Sequence, residues 1–379
     1  MSIDEILDVA FFSGLVIVVA FGDHLRIFGG AFFLLALVMI CASTRFSMTR
    51  KDQIWLPIFV AVTVVYIFFS YLHLLPYGWT TYYNQDVIPN QSVSVLSFAF
   101  VVAASQRWWT RLSVGLVSSR KLVVLALTWV ILGLFIDRLI GGSWTFERIS
   151  ATLRSGNLIY IFVLAFFAVR GSFLAWVSLL ASAAFTILVG KYLQTGLIYL
   201  IVIGLISLSF IRMHWGKGLV RAYITTLLAL STYGIFHAYQ IWRLDFNTGW
   251  RMQFWHDVLQ STVLTGGFGV GFGTEALKDI YPGLANRVFS ETGESFLLIG
   301  THSGFMDTLL RMGVFGLVPL AMIFWTSFPR ISKVRHLTNL CAVAFVLAFT
   351  CTFTNVGLQS PLYMLGIAFC LGYVRAQNV

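Results

Sequence analysis

Charge is what this chain has least of. Asp, Glu, Lys and Arg make up 11% of its 379 residues, roughly half of what a soluble globular protein carries. Cysteine is also scarce. Cys41, Cys341, Cys351 and Cys370 show no zinc-type spacing, and all fall in or at the edge of apolar segments. A disulfide framework and a zinc module are therefore not expected, and core packing explains these thiols. Internal repeats and low-complexity tracts are missing, and so is the period-two alternation of a membrane β-barrel. What remains is apolar: 58% of residues are hydrophobic and the mean hydropathy is +0.85.

Apolar runs recur at close to the ~20 residues that an α-helix needs to cross a bilayer. They read as twelve spans, at residues 6–22, 27–43, 54–75, 92–106, 122–140, 157–169, 172–190, 195–211, 219–241, 304–327, 337–354 and 360–374. The expected fold class is an all-α polytopic membrane protein, with residues 1–379 forming one integral membrane domain. An even number of spans puts both termini on one side. Fourteen basic residues, among them Arg45, Arg50, Lys51, Arg107, Arg111, Arg330 and Arg375, follow even-numbered spans or precede odd ones, against nine on the other face. Short loops rich in Lys and Arg stay in the cytoplasm, so both termini are expected there. The first apolar run follows Asp4, Glu5 and Asp8 and lacks a small-x-small cleavage site, which reads as a retained helix. The net charge of +10 is explained by orientation and anionic headgroups, not by nucleic acid.

One connection is far too long to be a simple turn. Residues 242–303, between spans 9 and 10, form a loop of functional length. Within it, the stretch from Trp250 to Leu259 has apolar residues at helical spacing, as in a short amphipathic helix at the interface. Glycines at 266, 267, 269, 271 and 273 follow. Their spacing is not the dinucleotide-binding fingerprint. A backbone that passes close to another helix or to a ligand suits them better.

The candidate site residues concentrate on this face. Arg148, Arg154, Arg243, Arg251 and Arg287, with Lys191, are predicted on one side of the membrane. Clustered arginines there suit a phosphate or pyrophosphate headgroup; headgroup anchoring, or pairing with Glu147, Asp257, Glu291 and Glu294, is the plainer reading of any one of them. His302 carries an imidazole that titrates near neutral pH where the polar loop meets span 10, and His256 is a lower-ranked competitor. Asp307 and Arg311 are spaced four apart, acid first, as in an intrahelical ion pair facing the bundle interior. Gly313 and Gly316 fit close approach of a neighbouring helix.

The stretch from Arg251 to Gly316 resembles the O-antigen ligase and O-antigen polymerase superfamily of bacterial envelope glycosyltransferases. The resemblance rests on Arg251 opening the loop helix, on Gly269-Val270-Gly271-Phe272-Gly273, and on His302-Ser303 followed nine residues later by Gly313-x-x-Gly316. It implies a GT-C-like enzyme of the bacterial inner membrane with its catalytic loop, residues 242–303, facing the periplasm. Its donor would be a glycan on undecaprenyl pyrophosphate, transferred with inversion and without metal or cofactor. Partners would be the lipid-linked oligosaccharide, an acceptor glycan or lipid A core, membrane lipids and a chain-length regulator protein. The family's loop arginine maps onto Arg251 and its histidine onto His302. The family's second arginine, from a Ser-Arg pair, is replaced by Lys191-Tyr192, so that Lys191 or Arg154 supplies the charge or the site differs.

On this reading Arg251, helped by Arg154, Arg287 or Lys191, binds the donor pyrophosphate. His302 takes the acceptor proton or orients the hydroxyl. Alternatively Glu291 or Glu294 is the base and His302 binds phosphate. Ser303, Asp307 and Arg311 serve the acceptor or support the site. Three functions stay open: a polymerase joining lipid-linked repeat units, a ligase charging a lipid A core, and a transporter. The last predicts inverted repeats and helices broken near the midplane.

Overall fold

In the computed structural model the described residues are 52–75, 87–113, 157–189, 193–210, 216–273, 281–286, 301–330, 335–354 and 361–378. They are helices and connecting turns. In chain order the helices are α1 (Asp52–Tyr71), α2 (Val87–Ser113), α3 (Asn157–Val169), α4 (Phe173–Ala184, extended by a π-turn at Phe185–Val189), α5 (Leu193–Phe210), α6 (Gly216–Phe236), α7 (Ala238–Leu244), α8 (Phe246–Leu264), α9 (Gly304–Thr326), α10 (Arg335–Thr354) and α11 (Pro361–Gln377). Nine of the twelve predicted spans fall on described residues, and all nine are helical. The first, second and fifth spans lie outside them. By length and composition, Ile54–Tyr71, Gly218–Phe236 and Gly304–Thr326 are apolar enough to cross a membrane.

The most extensive helix contact among the described residues is between α2 and α11, with α10 and α3 packed beside α11. Small residues make these contacts close: a Cβ on Gly372 would meet the Gln106 amide nitrogen at 2.7 Å, and one on Gly366 would press on Leu158. Such small-residue seams let membrane helices gain dispersion energy where no hydrophobic effect draws them together. Trp109 fills the junction, its ring 5.8 Å from Phe162 and 4.9 Å from Tyr373. The carboxyl ends of α2, α3 and α11 therefore share one end of the bundle. Arg375 is buried there, donating to Ser327 at 3.3 Å and to Gln106 at 3.4 Å. At the opposite end the glycine turn is pinned: the Phe272 amide donates to Ser70 of α1 at 2.9 Å, and the Gly273 amide to Gln91 of α2 at 2.8 Å.

Span 10 departs from the expectation of one continuous rod. Gly313 has φ 59° and ψ −155°, a non-helical conformation inside α9. Phe305 and Phe324 lie 19 positions apart yet have ring centroids only 5.2 Å apart, whereas a straight helix would separate them by about 28 Å. A Cβ on Gly316 would also meet Thr308, two turns upstream, at 3.1 Å. The helix folds back on itself, with a first limb of residues 304–312 and a second limb of 314–326. The glycine turn closes the break. Val270 donates to the Leu310 carbonyl at 2.8 Å, Gly271 to Arg311 at 2.9 Å, and Val314 to the Gly267 carbonyl at 2.9 Å. These bonds satisfy backbone groups that apolar surroundings would otherwise leave at a cost of several kcal/mol each. A Cβ at Gly313 would overlap the Gly267 carbonyl oxygen, and one at Gly269 the Arg311 carbonyl. The expected role of Gly313 is corrected accordingly. It makes the fold-back and takes in a loop, not a neighbouring helix, while Gly316 faces Met312 and Thr308 of its own element.

Candidate active site

The site is assembled from the start of α8 and the three residues before α9. Asp245 ends α7 and caps α8, its Oδ2 accepting from the Thr248 amide at 3.2 Å and from the Thr248 hydroxyl. Gly249 lets α8 turn back tightly on α7, because a Cβ there would run into the Trp242 backbone. Trp250, Phe254 and Val258 follow at four-residue spacing and are buried against Val270, Leu309 and Leu310. One face of α8 thus carries the apolar stripe that a packed helix requires. The helix expected over 250–259 is present but longer, Phe246–Leu264; its buried stripe is covered by protein, while Leu259, Val263 and Leu264 are exposed, so it is not cleanly amphipathic.

Trp255 reaches across to the second element, donating its indole N–H to the Thr301 carbonyl at 2.8 Å. Asp307 Oδ1 accepts the Thr301 amide at 2.7 Å. The Thr301 hydroxyl donates to the Ser303 carbonyl at 2.9 Å and accepts the Ser303 amide at 3.3 Å. Ser303 caps α9 through the Met306 amide at 3.4 Å. This web holds His302 at φ 55°, a left-handed conformation that costs a non-glycine residue on the order of 1 kcal/mol. The imidazole thereby meets Trp250 edge-on, ring centroids 5.4 Å apart. The Arg251 guanidinium lies over the same indole at 5.6 Å.

The electrostatics follow from that packing. Burial, then the Arg251 charge, pushes the His302 imidazole down to about 4, so it is neutral at pH 7. Burial also lowers Arg251, with Asp245 opposing. Arg251 Nε is buried and has no acceptor among the described residues. The result is a cation and a neutral imidazole joined across one aromatic ring, with donor capacity left over for an anion. Nearby, Tyr281 donates to Ser261 at 2.7 Å and is pushed up to about 12 by burial, which fixes it as a neutral prop on α8.

Of the residues expected from sequence, Arg251 and His302 come together. Ser303 and Asp307 are committed to the backbone that presents His302. Arg311, buried like Asp307, donates to the Gly271 carbonyl at 3.2 Å and so braces the glycine turn. Asp307 and Arg311 interact electrostatically, as the spacing predicts, and each also holds a separate backbone segment. Arg154, Lys191, Arg287, Glu291 and Glu294 lie outside the described residues. His256 turns to its own helix, with Asp257 at 3.3 Å and Gln260 at 3.4 Å. Sequence reasoning missed Trp250 and Trp255 as builders of the site. The only signal was that Trp250 and Trp255 flank Arg251 on the loop helix. No family model matches this chain, and no curated protein does.

Proposed function

We propose that this chain is a glycosyltransferase of the bacterial inner membrane, with twelve spans, of which the tenth crosses through the second limb of α9 while its first limb is re-entrant, both termini in the cytoplasm and the His302 site facing the periplasm. It takes a glycan from undecaprenyl pyrophosphate and transfers it to the acceptor sugar of another lipid-linked repeat unit, as an O-antigen or exopolysaccharide polymerase does. The observation that carries this reading is the meeting of Arg251 and His302 across Trp250. A half-buried guanidinium whose Nε has no acceptor among the described residues suits the pyrophosphate leaving group, on which negative charge builds as the sugar–oxygen bond breaks. The acceptor hydroxyl attacks the anomeric carbon from the opposite side, inverting it. Its proton passes to His302, or to Glu291 or Glu294 if His302 instead binds phosphate. With a free-state pKa of about 4, the imidazole is a weak base until an anion beside it raises its proton affinity.

The decisive measurement is transfer by the purified chain from a lipid-linked oligosaccharide. His302→Ala with full activity removes the histidine from the mechanism, and Arg251→Lys with unchanged donor affinity removes the pyrophosphate assignment. A ligase acting on lipid A core would use the same chemistry. A deletion strain separates the two: one repeat unit on the core means polymerase, and free lipid-linked polymer means ligase. The transporter reading gains one feature it predicts, the broken α9. At this break, however, the glycine turn takes up Leu310, Arg311 and Val314 backbone groups, which a transporter would leave to its ion or substrate.

A further inference from the structure

A cavity lies outside the His302 site. It encloses about 580 Å³ between the start of α6, the second limb of α9 and the middle of α10, within the size range of ordinary ligand pockets. Its wall is aromatic, with Phe305, Phe324, Phe345 and Phe349 along its length and Trp325 at its side. Two cations stand at one end. Arg221 is exposed and lies over the Phe328 ring at 5.8 Å. Arg330 is also exposed and is steadied by a 2.8 Å bond to the Asn378 carbonyl. No acidic side chain lines the cavity among the described residues. This end is the one where Arg375 meets Ser327.

We propose that this groove binds one anionic phospholipid, its phosphate between Arg221 and Arg330 and an acyl chain lying along the phenylalanines toward Phe305. Three features support this occupant. The lining is apolar along its length and cationic only at its mouth, which matches the amphipathic division of a lipid and not that of a soluble anion. Basic pockets between membrane helices select acidic headgroups. In addition, α6 is lightly packed against the bundle and turns Leu230, Tyr233 and Phe236 outward. A chain in the gap restores the dispersion contacts that an empty space of this size forfeits. The proposal does not depend on the glycosyltransferase reading.

The test uses the full chain in detergent, with native mass spectrometry of bound lipid. Phosphatidylglycerol and phosphatidylcholine of equal chain length are compared, with undecaprenyl phosphate as a third probe. Phosphatidylglycerol is expected to bind in preference to phosphatidylcholine. Arg221→Gln is expected to weaken that preference about fivefold and the double variant with Arg330→Gln about thirtyfold, at about 1 kcal/mol per basic contact. Arg221→Lys should restore most of it. Ala321→Trp, which fills the groove, should abolish binding of either phospholipid there. Equal binding of the two phospholipids, or a preference unchanged in the double variant, overturns the proposal. Displacement of phosphatidylglycerol by equimolar undecaprenyl phosphate also overturns it, since the groove would then hold a polyprenyl chain.

Discussion

The imidazole of His302 meets the indole of Trp250 edge to face, with ring centroids 5.4 Å apart. The same indole supports the Arg251 guanidinium, so one side chain sets both the dryness and the charge around the histidine. Burial is the larger cause of the lowered pKa and Arg251 the smaller. Trp250→Ala should therefore raise the His302 pKa further toward 6.5 than Arg251→Ala does. Histidine NMR titration, with the His302→Asn spectrum for assignment, measures both shifts.

The same depression makes stability depend on pH. The folded value of about 4 lies below the unfolded 6.5, so the unfolded chain binds the extra proton as pH falls between them. Stability is unaffected by this group above pH 6.5 and declines toward pH 4, by on the order of 3 kcal/mol at the limit. The thermal midpoint of His302→Asn should vary less across this window than that of the natural chain.

Anion binding should couple to this proton with the opposite sign. A pyrophosphate beside His302 raises its proton affinity, so the bound state takes up a proton that the free state lacks. Affinity for a polyprenyl pyrophosphate is expected to rise as pH falls below neutral, by at most tenfold per unit. In His302→Asn that slope should vanish while the Arg251 contribution remains. Calorimetric titration at several pH values reads both.

Gly313→Ala is expected to be far more damaging than its size suggests. It puts a Cβ into the Gly267 carbonyl at a positive φ, and about 2–4 kcal/mol of stability should be lost. Gly218, with open space where its Cβ would project, is the control, since Gly218→Ala should leave the midpoint unchanged or raise it. Equal thermal midpoints for the two variants would remove the fold-back from the account.

Asp307 acts through Thr301. Asp307→Asn retains an acceptor for the Thr301 amide and should cost little. Asp307→Ala leaves that buried N–H without a partner, at about 1–3 kcal/mol, and releases His302 from its left-handed position. In a transfer assay kcat should fall more than donor affinity in the alanine variant, with most of the loss recovered by asparagine.

Much of the fold was legible because membrane helices are written in hydropathy. The segment predicted at 157–169 is the helix Asn157–Val169, and the next, predicted at 172–190, is helical over 173–189. The fold-back was not legible. A largely apolar run of 24 residues, 304–327, looks the same whether it crosses or returns, and Gly313 in a helical pattern reads as a packing glycine. Its reason lies in the carbonyl of Gly267, 46 positions away. The site was partly legible. Arg251 and His302 stand out as charged or titratable groups in an apolar chain, whereas Trp250 and Trp255 look like ordinary stripe residues.

The sequence by itself determined the class of structure. With 11% charge and apolar runs of bilayer length, the chain has to satisfy its backbone within helices. It also determined where the polar exceptions fall, because a rare charge must be paired, buried with partners or held at a surface. Tertiary structure decided which of those exceptions meet. His302 became a neutral, strained, aromatic-walled imidazole only when α8 packed Trp250 and Trp255 against the start of α9. That start could fold back only because a glycine turn supplied the hydrogen bonds its broken helix gave up. Both are contacts between residues dozens of positions apart, and neither leaves a periodic trace in the chain.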